Sequence, residues 1–219
     1  MTERVRLGMV SSALAAIPPM VEQLRADLPE VEVLHFVDEG LLVEFARAGR
    51  LSRRARVRTL ELVLSAEAAG CAAIVSSCST LTPALTELGS FVKVPVVTVD
   101  RDMLRAACEK ARRIAVLTTA ASVLTSVLST LRDAAIAVAR RPEVMTTVVT
   151  AAASHPLGSG EALRAIATEV EEALKVAEVA VLGQCSMIGC LPYVPESLRP
   201  RVLCAPMYAV RAVKQALRA

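Results

Sequence analysis

Short runs of β-branched residues alternate along the whole chain with stretches in which apolar residues recur every three or four positions. The first pattern suits strands covered on both faces, and the second suits helices with one apolar side. Strands are predicted over residues 5–10, 31–37, 72–77, 94–99, 113–118, 144–150, 179–183 and 201–205. Helices are predicted over 18–27, 40–48, 52–69, 83–88, 101–111, 120–135, 160–177 and 207–217. Pro18 fits a first helical turn, and Thr82-Pro83 reads as an N-cap followed by the first helical residue. In the closing helix Met207, Val210, Val213 and Leu217 fall at helical spacing and read as core. Strands alternating with helices in this way build parallel βαβ units.

The chain also resembles itself. Shifted by 107 residues, Arg6-Leu7-Gly8-Met9-Val10 lies over Arg113-Ile114-Ala115-Val116-Leu117. At the same offset Ile74-Val75-Ser76-Ser77-Cys78-Ser79 lies over Val181-Leu182-Gly183-Gln184-Cys185-Ser186, and Pro95-Val96-Val97 over Val202-Leu203-Cys204. Three strands at one offset point to an α/β fold of two pseudo-symmetric parallel-sheet halves. The halves are residues 1–110 and 111–219, related by a pseudo-twofold axis, and helix 207–217 is a candidate to pack back on the first half. Parallel sheets bind ligands beyond the carboxyl ends of their strands, so the active site is expected in the cleft between the halves.

Composition narrows the function. Hydrophobic residues make up 54% of the 219, which excludes a disordered chain. Twenty-five basic residues face 22 acidic ones, so the charge is near balance. Six of the basic residues fall in residues 47–58, read as a solvated helix face rather than an anion patch. With no Trp, 2 Tyr and 3 Phe there is no stacking platform for bases, and a nucleic-acid partner is set aside. The N-terminus lacks the layout of a signal peptide and no apolar run is long enough to span a membrane. A cytoplasmic protein with reduced cysteines is expected, a homodimer being the default assembly. No cysteine pair has zinc-ligand spacing, and no phosphate loop or cofactor lysine is visible, so neither metal nor cofactor is expected.

The chemistry is expected at the strand ends. Ser11, Ser12, Cys78, Ser79 and Thr80 cluster there in the first half, and Thr118, Thr119, Cys185 and Ser186 in the second. Hydroxyls and backbone N–H groups can hold a carboxylate without a fixed cation. A thiol from each half suits removal of a proton from one face of a carbon acid and its return to the other. Each cysteine also precedes a turn into a helix, whose N–H groups favour negative charge. Most cysteines are simply buried apolar residues, and Cys71, Cys108, Cys190 and Cys204 are assigned that role. His35 and Asp38 end the second strand, where a surface or capping role competes with a site role. Residues 153–160 form the longest breaker-rich loop, read as a plain connector.

Ser76-Ser77-Cys78-Ser79-Thr80 resembles the first cysteine motif of the aspartate/glutamate/hydantoin racemase superfamily, typically Cys-Asn-Thr. Leu182-Gly183-Gln184-Cys185-Ser186 is similar to its second, typically Leu-Gly-Cys-Thr. The resemblance implies a cofactor-independent racemase or isomerase of a small carboxylate-type substrate, an amino acid or a hydantoin. Cys78 and Cys185 would be the acid/base pair, and Ser11, Ser12, Ser79, Thr80, Thr118, Thr119 and Ser186 would hold the substrate. Two other readings stay open: an enzyme like maleate isomerase or arylmalonate decarboxylase, and a binding protein that has lost turnover. The chain departs from the glutamate racemase pattern in carrying Ser11-Ser12 where that pattern has Asp-Ser. Met187 and Ile188 replace the His or Glu after the second motif. A buried ammonium group would then need Asp38, Glu39 or Asp100 as its partner.

Overall fold

The computed structural model describes residues 4–156 and 158–218; Leu157, in the loop expected over 153–160, lies outside them. By contacts the chain divides into two compact units, Met1–Val99 with Pro206–Ala219, and Asp100–Ala205.

The first unit holds β1 (Arg6–Ser11), α1 (Ile17–Asp27), β2 (Glu32–Val37), α2 (Glu39–Ala48), α3 (Arg53–Ala68), β3 (Ala73–Ser76), α4 (Thr82–Leu88) and β4 (Val96–Val97). All four strands are parallel, in the order β2-β1-β3-β4. The inner strands β1 and β3 are buried almost throughout, which is why they read as continuous apolar runs. The helices begin and end where local chemistry dictates. Pro18 and Pro19 stand in the first turn of α1. The Asp38 carboxylate accepts from Gly40 N at 3.0 Å and caps α2, which ends at Gly49 with φ +65°. Ser52 caps α3 by accepting from Ala55 N. The core gathers Val10, Leu41, Ala55, Val63, Ile74, Leu81 and Leu85 beneath α3 and α4.

The second unit holds α5 (Arg101–Lys110), β5 (Arg113–Thr118), α6 (Ala121–Ala137), β6 (Glu143–Val148), α7 (Thr150–Ala153), α8 (Gly160–Leu174), β7 (Val179–Leu182) and β8 (Val202–Cys204). Its sheet repeats the first in order and direction, β6-β5-β7-β8, all parallel. Ala162, Ile166, Val170 and Leu174 put the apolar side of α8 against Leu117, Ala180 and Leu182. From Pro206 on, α9 (Ala205–Ala216) goes with the first unit.

Four expectations change in detail. Thr82 is not the N-cap of α4: a 3-10 turn over Ser79–Leu81 runs straight into the helix, so Leu81 is the N-cap and Thr82 is already helical. Met207 is 48% exposed, while Val210 and Val213 on the same helix are fully buried. The stretch after Cys185 is a 3-10 helix, Cys185–Tyr193, with Pro192 inside it. The short helix α7 follows β6 without an apolar period to announce it.

The equal offset of the strand pairs also changes. In the first sheet Leu7 pairs with Ala73, whereas Ile114, 107 residues on, pairs with Val179. The third and fourth strands therefore correspond at an offset of 106, one residue short of the offset that relates β1 to β5.

Candidate active site

At the carboxyl end of the first sheet, β1 delivers Ser11 and Ser12, and β3 delivers Ser76 followed by Ser77 and Cys78. All five are buried, Cys78 being 7% exposed. Ser11 and Ser77 share a hydrogen bond of 2.7 Å between their hydroxyls. Ser12 Oγ donates to Cys78 Sγ at 3.0 Å. Ser76 Oγ accepts from Val99 N at 3.2 Å and so ties the segment after β4 to β3. Cys78 itself stands in extended backbone as the N-cap of the 3-10 turn that carries Ser79 and Thr80. Thr80 Oγ1 and Thr98 Oγ1 are buried with no hydrogen-bond partner among the described residues. An unsatisfied buried hydroxyl costs about 1–3 kcal/mol and is the kind of group that a ligand completes.

At the carboxyl end of the second sheet, Thr118 is fully buried and its hydroxyl donates to the Ala120 carbonyl at 3.2 Å. Thr119 donates twice to Gln184 Oε1, from its backbone N at 2.7 Å and from its hydroxyl at 3.0 Å. Cys185, 2% exposed, and the half-buried Ser186 open the 3-10 helix.

The one-residue difference in offset settles which residues correspond. Ser77 N donates to Val10 O in the first unit as Gly183 N does to Leu117 O in the second. Ser77 meets Ser11; at Gly183 a Cβ would lie 2.8 Å from Thr118 Cγ2, so only glycine fits. Cys78 and Gln184 are both extended N-caps, and each carbonyl accepts from the residue three further on, Leu81 and Met187. Ser12 bonds Cys78, and Thr119 bonds Gln184. The counterpart of Cys78 is therefore Gln184, and that of Cys185 is Ser79.

The structure thus pairs Ser12 with Cys78 and, beside them, Ser11 with Ser77, and it joins Thr119 to a residue the motif reading passed over. Ser77 and Gln184 are the additions. The signal for Ser77 was the unbroken polar run 76–80. That for Gln184 was the residue standing between Gly183 and Cys185 where the typical motif has none. Asp38 caps α2 and pairs with Arg58, as a junction residue should, and His35 is exposed on the edge strand. Asp100 is fully buried at the start of α5.

Burial and charge separate the remaining cysteines. All six are buried and none is in a disulfide. Desolvation pushes the Cys190 and Cys204 thiols up to about 12 and raises Cys71 and Cys108 as well. Among the described residues no three His, Cys, Asp or Glu side chains gather closely enough to hold a metal ion, and no helix is long and apolar enough to cross a membrane. A cavity of about 890 Å³ opens at the amino end of the second sheet, lined by Arg112, Arg113, Arg140, Arg141 and Glu178 among others. It lies at the other end of β5 from Thr118, and none of the expected site residues lines it.

No curated protein matches the sequence. Among solved structures, glutamate racemase isoform RacE1 from Bacillus anthracis superposes with a TM-score of 0.74 at 14% identity, over 98% of this chain and 82% of that one. Allantoin racemase from Klebsiella pneumoniae gives 0.71 at 22% identity, over 98% and 88%. An aspartate racemase homologue from Pyrococcus horikoshii gives 0.68 at 14% identity, over 98% and 99%. At these identities the likeness establishes the fold. The model of the Asp/Glu/Hydantoin racemase family matches residues 7–213, nearly the whole chain, and to that family this protein belongs.

Proposed function

We propose that this chain is a cofactor-independent racemase or isomerase of a small carboxylate-type substrate, an amino acid or a hydantoin. The observation that carries the reading is the Ser12 Oγ to Cys78 Sγ hydrogen bond of 3.0 Å, set in a buried group of hydroxyls. A hydroxyl that donates to sulfur fixes where the thiol points and leaves its other lone pairs for a substrate proton. Family membership and the racemase neighbours support the same chemistry.

In this mechanism one thiolate takes the proton from carbon, and the electron pair left behind delocalises into the adjacent carbonyl or carboxylate. Hydroxyl and N–H donors stabilise that charge, and the second thiol returns a proton to the opposite face. Cys78 and Cys185 are the pair, and Ser11, Ser79, Thr80, Thr118, Thr119 and Ser186 hold the substrate. Ser12, first read as a substrate contact, serves here by orienting Cys78. At the first sheet the contacts are hydroxyls, and the Asp38 carboxylate, just past the end of β2, is taken by Arg58 and the Gly40 N–H. That lining favours a substrate end without an ammonium group.

Loss of the α-proton signal in deuterium oxide, followed by proton NMR, tests the proposal. Wild type, Cys78→Ser and Cys185→Ser are compared on pools of aspartate, glutamate, hydantoins, allantoin and maleate. Exchange in wild type that each mutant abolishes or confines to one enantiomer is the expected result. No exchange or conversion in any pool would remove the racemase reading.

The non-equivalence of Cys78 and Cys185 favours a second reading, in which Cys78 acts alone as nucleophile or base. Turnover that survives Cys185→Ser and vanishes in Cys78→Ser would select it.

A further inference from the structure

We infer that Gln184 forms a donor subsite at the carboxyl end of the second sheet, which takes a carboxylate oxygen of the substrate. The inference rests on the reading that this end of the sheet binds substrate, and it concerns a residue to which that mechanism gives no role.

The geometry fixes which way the carboxamide faces. A backbone N–H can only donate, so the atom 2.7 Å from Thr119 N is the carboxamide oxygen, not its nitrogen. The Thr119 hydroxyl, 3.0 Å from the same oxygen, adds a second bond and clamps the group. The amide nitrogen is thereby turned away from Thr119 with both N–H bonds unclaimed by any acceptor among the described residues. The side chain is half-buried, so its orientation is held rather than averaged by solvent.

Position supplies the second argument. Gln184 occupies the N-cap place that Cys78 occupies in the first unit, with backbone angles of −139° and 138° against −126° and 118°. Both residues stand at the carboxyl end of the third strand of their sheet, where parallel sheets bind ligands. In the first unit that place holds the thiol; in the second it holds an oriented pair of donors with no acceptor function left. Such a pair recognises an anionic oxygen and offers nothing to an ammonium group.

Alkylation of Cys185, the next residue, tests the subsite without knowledge of the substrate. Iodoacetate and iodoacetamide each form a carbon–sulfur bond and release iodide; they differ in carrying a carboxylate or a neutral amide. The ratio of their rates at Cys185, read by mass spectrometry, therefore reports carboxylate recognition and cancels the reactivity of the thiol. Gln184→Glu keeps an oxygen for both Thr119 bonds, removes the donors and adds a negative charge. Gln184→Met removes the donors without adding charge. The ratio should fall at least tenfold in Gln184→Glu and at least threefold in Gln184→Met, with unchanged melting of Gln184→Glu. An unchanged ratio in both variants overturns the subsite. So does a fall confined to Gln184→Glu, which would be charge repulsion alone, and so does a Cys185 that reacts with neither reagent. Deuterium exchange fails or succeeds independently of this ratio, so loss of the racemase reading and loss of the subsite are separate results.

Discussion

Burial pushes the thiols of Cys190 and Cys204 up to about 12 and raises those of Cys71 and Cys108, so at neutral pH these four remain protonated and out of reach. Peptide mapping after brief alkylation at pH 8 should find them unmodified in the folded protein. Beside Cys78, Ser12→Ala should leave the fold intact and lower turnover about tenfold, the equivalent of one hydrogen bond of about 1.4 kcal/mol. Measured kcat against KM tells positioning from binding: an orienting serine moves kcat. Glu178 gives a pH dependence. The N–H groups of Arg112 and Arg113 hold its carboxyl below the usual carboxylate range, so the folded state binds the proton less readily than the unfolded chain. Its contribution is present above the unfolded value near pH 4 and is lost as pH falls through the lower folded value. Urea midpoints of wild type and Glu178→Gln should therefore differ at pH 7 and converge toward pH 3. At this scale residue types pointed to the polar and thiol side chains that the structure buries at the strand ends. They could not show that Ser12 rather than Ser11 reaches the thiol, since the two are adjacent hydroxyls where β1 ends.

Elements were legible because the two periods are strong: β1, β3, β5 and β7 are apolar on both faces, and α8 buries every fourth residue. The register was not. Apolar strands match one another at neighbouring offsets, and the decision between 106 and 107 belongs to backbone hydrogen bonds and to the close approach at Gly183. Gly183→Ala sets a methyl 2.8 Å from Thr118 Cγ2 and 3.1 Å from the Leu117 carbonyl, and should cost about 1–3 kcal/mol in a denaturation curve. The end of α6 offers the opposite case. Arg140 N donates to Ala135 O and Ala139 N to Ile136 O, a Schellman close that puts Ala139 at φ +52°. A side chain there costs about 1 kcal/mol, so Ala139→Gly should raise the melting temperature by a few degrees.

Over the whole chain the two sheets share order and direction, as the self-comparison implied. The chain passes from one unit to the other at Val99–Asp100 and again at Ala205–Pro206. Its last helix therefore serves the unit with which the chain began, and Val210 and Val213 are fully buried there. Deletion of residues 206–219 strips that unit of apolar cover. The expected result is alkylation of Cys71 at least tenfold faster than in the full chain, with Cys190 within twofold of its full-length rate. The inert thiols have a use beyond this comparison. Cys71 lies in one unit and Cys108, Cys190 and Cys204 in the other, all sealed while their surroundings stay folded. They are built-in clocks: the rate at which each becomes reactive times the opening of its own unit, with no label, tryptophan or substrate required.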